Sequence, residues 1–69
     1  MRRISLPTTE ETGKEMAISN TQAFPIEVVY PLNGKEIPIE VLDPGMSRTY
    51  VAKEIDTGFA KEVHWSVKS

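Results

Sequence analysis

Phe24-Pro25-Ile26-Glu27-Val28-Val29-Tyr30-Pro31-Leu32-Asn33-Gly34-Lys35-Glu36-Ile37-Pro38-Ile39-Glu40-Val41-Leu42 is the stretch that decides how this chain folds. Its apolar residues recur at every second position, the spacing of a half-buried strand and not of a helix. Phe24, Ile26, Val28 and Tyr30 share one face, with Pro25, Glu27, Val29 and Pro31 on the other. Beyond Asn33-Gly34, Ile37, Ile39 and Val41 alternate with Glu36, Pro38 and Glu40. Asn-Gly between two such runs marks a type I′ turn, because both of its central residues take positive φ. The pattern predicts a β-hairpin over residues 24–42.

Reading toward the C-terminus, Asp43-Pro44-Gly45-Met46 is a type II turn: proline presets the first central φ and glycine supplies the positive second one. Ser47 to Lys53 then reads as a strand, with Tyr50 and Ala52 on one side and Thr49 and Val51 on the other. Glu54-Ile55-Asp56-Thr57-Gly58 breaks the alternation and predicts a loop. The last strand is Val63 to Val67, with Val63, Trp65 and Val67 inward and His64, Ser66 and Lys68 outward.

Toward the N-terminus, Met16 and Ile18 alternate with Glu15, Ala17 and Ser19 and predict a strand at about 14–20. Residues 1–13 read as a flexible tail or, through Ile4 and Leu6, as a short edge strand. Pro7 to Gly13 is polar and loop-like. Thr8 and Glu11 have capping-box spacing, but no apolar helical run follows them.

Pro25, Pro31 and Pro38 remove ladder donors, so the strands that hold them should have an edge or a bulge there. Such prolines discourage edge-to-edge aggregation, or else shape a surface for a partner. Five to six short strands with Gly- and Pro-marked turns predict a single all-β domain over 1–69, a small antiparallel sandwich or barrel. The order of elements resembles part of an immunoglobulin-type sandwich, in which a hairpin and a Pro-Gly turn precede a strand with an inward tryptophan. Residues Asn20 to Tyr50 also look loosely like the β-domain of the von Hippel–Lindau family. An Asn-led strand, a Gly-centred turn and a Leu-x-Pro-Gly-x-Ser turn follow there in the same order. That likeness implies a β-sandwich, and no function is carried across from it.

A chain of 69 residues buries only roughly 60% of its unfolded surface, which leaves a thin core. It has no cysteine, so disulfides and thiolate zinc sites are excluded, and self-association as a homodimer is the compensation left open. Eight basic and ten acidic residues are interspersed, as in Lys35-Glu36 and Lys53-Glu54. This mixed surface argues against nucleic acid as a partner. Arg2 and Arg3 are not followed by an apolar signal segment, and no run reaches the length of a membrane-spanning helix. A cytoplasmic address and no membrane partner are expected.

The chemistry-bearing residues are few. His64 is the single histidine and is placed by period two on the solvent face, with no nucleophile–base partner evident. Glu36 and Glu40 share a strand face near Glu27, where paired carboxylates can hold a cation but more often keep a surface soluble. Gly13-Lys14 and Gly34-Lys35 lack the earlier glycine and the Ser or Thr of a phosphate loop. No catalytic, cofactor or metal residues are therefore assigned. Trp65 and Phe24 are expected to form the core. Tyr30 and Phe59, with Asn33 and Lys35 at the turn, are the predicted partner-binding residues, since aromatics on loops commonly anchor interfaces.

The sequence thus predicts a stand-alone, non-catalytic protein-binding module, acting as an accessory subunit, a phage-encoded inhibitor or a small structural protein. The contact is expected at the Asn33-Gly34 turn, the Phe59 loop or an open strand edge. The alternative is a binder of a nucleotide or sugar at a homo-oligomer interface, because a monomer this small is expected to lack a pocket of sufficient volume.

Overall fold

The computed structural model describes residues 2–8, 12–56, 58 and 61–68. Its strands are β1 (Arg2–Ser5), β2 (Glu15–Ser19), β3 (Ile26–Leu32), β4 (Lys35–Leu42), β5 (Ser47–Asp56) and β6 (Lys61–Val67). They form two three-stranded sheets, ordered β1-β3-β4 and β2-β5-β6. The all-β sandwich-like architecture is as predicted. One pairing is not antiparallel: β1 runs parallel to β3, with Ile4 opposite Val28.

The hairpin forms on the expected turn, with Asn33 at φ 55° and Gly34 at φ 74°. Its second strand departs from simple alternation. Val28 pairs with Glu40 and Val29 with Pro38, so Ile39 is an extra residue and β4 carries a bulge. A bulge of one residue shifts the period-two pattern by one position. Ile37 and Ile39 pack against the core as expected, but beyond the bulge Leu42 is buried and Val41 is 41% exposed. Glu40, expected to face outward, turns toward the other sheet.

Pro38 sits opposite Val29, whose carbonyl accepts from Leu6 N–H on the β1 side at 2.8 Å. Their pairing is therefore of the non-hydrogen-bonded kind, and the donor that Pro38 lacks would have pointed to the free edge. Val29 was expected on the outer face, yet it is buried, lying between Ser5 and Pro38 in the middle of the sheet.

Asn20 fixes where this hairpin begins. It is 2% exposed, and its side chain replaces three backbone partners. Nδ2 donates to the Phe24 and Leu42 carbonyls, each at 2.9 Å, and Oδ1 accepts from Gln22 N–H at 2.9 Å. Held in this turn, Phe24 stays outside β3 and is 37% exposed, with the Arg2 guanidinium 5.3 Å from its ring centroid. The expectation that Phe24 belongs to the core is corrected accordingly.

The type II turn forms as expected, with Gly45 at φ 84° and Met46 N–H donating to the Asp43 carbonyl at 3.0 Å. Strand β5 does not break at Glu54. Glu54, Ile55 and Asp56 pair with Val63, Glu62 and Lys61, so cross-strand bonding overrides the lost alternation. Val67, expected inward, is exposed at the end of β6. The core comprises Leu6, Val28, Tyr30, Leu42, Tyr50, Ala52 and Trp65, with Met16, Ile18 and Val63 among the half-buried residues around it. No helix of the described residues is long and apolar enough to cross a membrane.

Candidate functional site

The longer β5–β6 ladder brings Glu54 and Glu62 to the end of the molecule that carries the hairpin turn. There Glu62 Oε1 accepts the Asn33 N–H at 2.9 Å, linking the two sheets at the tip of the hairpin. Trp65, inward on β6, donates its Nε1–H to the Pro7 carbonyl at 3.0 Å and so fixes the segment after β1. Between these ties lies an open-sided groove of ≈ 620 Å3, lined on its apolar side by Pro7, Pro31, Leu32, Val63 and Trp65. The groove belongs to one chain and is open-sided, not an enclosed pocket.

Among the described residues, one buried side-chain polar atom has no partner, and it belongs to a residue that lines the groove. Glu62 Oε2 is buried, and no donor among the described residues reaches it. A buried carboxylate oxygen without a donor is costly, so a group offering N–H or positive charge would be favoured there. Glu54, opposite Val63 in the ladder, also lines the groove.

The residues predicted to bind a partner fall in different environments. Asn33 lines the groove at the exposed turn, and Lys35 is exposed at the start of β4. Tyr30 is not a surface anchor. It is 3% exposed, and its hydroxyl lies 2.7 Å from His64 Nδ1, the two rings meeting edge to face at 5.5 Å. Burial raises its pKa above the ordinary 10.0. Phe59 lies outside the described residues. His64, expected to be a solvent-facing residue, is half-buried because β6 packs beside β3.

Glu27, Glu36 and Glu40 are held in separate contacts. Glu27 and Glu36 both meet Arg3, at 2.8 and 3.4 Å, on the outer face of the first sheet. Glu40, turned inward by the bulge, accepts the Tyr50 hydroxyl at 2.7 Å and lies 3.4 Å from Arg48 Nε. Among the described residues no group of three His, Cys, Asp or Glu side chains could hold a metal ion.

Glu62 is among the groove residues that sequence reading missed. Its signal was available only through the register of β5 with β6, which the broken alternation at Glu54 concealed. Comparison with known proteins adds no assignment: no family model matches the chain, and no curated protein or solved structure is significantly similar to it.

Proposed function

We propose that this protein is a non-catalytic, cytoplasmic β module that recognises another protein through the groove at the hairpin tip. The observation that carries this reading is the pairing of an apolar lining with the buried, unmatched Glu62 Oε2. A partner segment that fills the groove with an apolar side chain and offers a donor to Glu62 would relieve both features at once. Asn33 and Lys35 would border that contact. An accessory or inhibitory role, including a phage-encoded one, would act through this contact without any chemistry of its own.

The test is capture from lysate of the source cells, compared between the wild type and Pro31→Arg. Pro31 is exposed, and an arginine there would project positive charge into the groove. A protein retained by the wild type and lost by the variant, at unchanged fold, supports the reading. Identical captures would remove the groove from it.

A second reading rests on the same volume, which lies within the roughly 300–1,000 Å3 of small-molecule sites. A nucleotide or sugar bound only by the folded state would raise the melting temperature in a metabolite screen. A flat screen would dismiss it.

A further inference from the structure

We infer that two copies of this chain join through β2, antiparallel across a two-fold axis at Ala17, to make one continuous six-stranded sheet. The argument begins with the direction of the backbone groups. Asn20 N–H donates to Met46, and its carbonyl accepts from Gly45 N–H, each at 2.9 Å. At the other end of the strand the Lys14 carbonyl accepts from Ala52 N–H, also at 2.9 Å. Backbone groups on a strand alternate in direction, so Met16 and Ile18 also face β5. Those of Glu15, Ala17 and Ser19 consequently point away from the sheet. This edge offers three donors and three acceptors in a row.

The other outer strands are obstructed, each in its own way. β4 has Pro38 and the Ile39 bulge, both of which oppose strand addition. β6 packs beside β3, with Glu62 bonded to Asn33. β1 has only four residues and carries Arg2 and Arg3. β2 has no proline, and its middle residue, Ala17, is small and exposed.

The sequence of β2 is complementary to itself in that register. A two-fold axis at Ala17 sets Ala17 opposite Ala17 of the second copy, and Glu15 opposite Ser19, so the glutamates do not oppose each other. On the inner face it sets Met16 opposite Ile18, both half-buried and packed against the core. Pairing thus extends the apolar layer as well as the ladder, which matters most in a chain with so thin a core. This inference is independent of the groove, which lies at the hairpin tip.

The test is sedimentation of the full chain over a wide concentration range. A monomer–dimer equilibrium is expected for the wild type. Ala17→Pro removes an N–H that points outward, so the β2–β5 ladder keeps its bonds while both hydrogen bonds at the axis are lost. Dimer affinity should fall about tenfold or more. Ala17→Lys and Ala17→Glu should each be monomeric, because like charges meet at the axis, and an equimolar mixture of the two should dimerise. A wild type that stays monomeric throughout overturns the inference. So does a dimer undiminished by a folded Ala17→Pro chain, or a Lys–Glu mixture that fails to associate while both variants are folded.

Discussion

β4 and β2 are both outer strands of alternating character, yet their free edges are built differently. β4 places the imino nitrogen of Pro38 where an outward donor would stand and then bends at Ile39. β2 runs regularly from Glu15 to Ser19, with neither device. At its beginning Gly13, at φ 88°, donates to the Ala52 carbonyl at 2.7 Å, while the Lys14 carbonyl accepts from Ala52 N–H. That is a glycine bulge, and it ends the regular edge abruptly. The difference teaches that alternation locates a strand, whereas the chemistry of its outward backbone groups decides what can approach it.

The two edges meet at Asn20, which follows β2 and donates to Leu42 at the end of β4. Asn20→Ala would break the comparison most severely, because two carbonyls and one N–H lose their partner in a buried site. A loss of roughly 2–4 kcal/mol is expected in urea unfolding, and a loss below about 1 kcal/mol would deny Asn20 this role.

A smaller effect is expected where the bulge has turned Glu40 inward. Tyr50→Phe removes the hydroxyl bond to Glu40 but leaves the Arg48 contact, and should cost about 1–2 kcal/mol. The same pair sets an alkaline limit. Burial foremost, then the hydrogen bond and negative charge of Glu40, raise Tyr50 well above the ordinary 10.0, with Arg48 opposing. The folded chain therefore holds a proton that the unfolded chain releases. Stability present below pH 10.0 should decline as pH rises above it, and decline less in Tyr50→Phe. Thermal melts at increasing pH would show this, and parallel curves for the two proteins would refute it.

Pro38→Val sharpens the contrast at least cost to the monomer. Stability should change by no more than about 0.5 kcal/mol, since no ladder bond is involved. The restored N–H should make β4 a better template and increase association above that of the wild type in light scattering. Unchanged scattering would show that the bulge alone protects this edge.

Much of this fold was legible from local chemistry. Asn33-Gly34 and Asp43-Pro44-Gly45-Met46 act through their own backbone preferences and form as read. The inward positions of Tyr50, Ala52 and Trp65 also follow from alternation. What escaped the sequence depended on distant partners. The Ile39 bulge reverses the parity of Val41 and Leu42 without any glycine to announce it, although Pro38 hinted at an irregularity. Tyr30 looked like a surface aromatic because it lies near a turn, but β6 folds over it and supplies His64. The groove was illegible for the same reason, since Pro7, Asn33 and Glu62 become neighbours only when the two sheets pack.

The bond from Trp65 Nε1 to the Pro7 carbonyl spans fifty-eight residues. It joins the segment after β1 to β6, so this tie cannot close until β6 is in place. The hairpin at Asn33-Gly34 is local and can form early, whereas β1 has to wait for β3 and then for the tryptophan that secures its far end. Closing a loop of that length costs more chain entropy than closing the two-residue hairpin turn. Trp65 thus secures the segment after β1, and its fluorescence would report when that segment is captured.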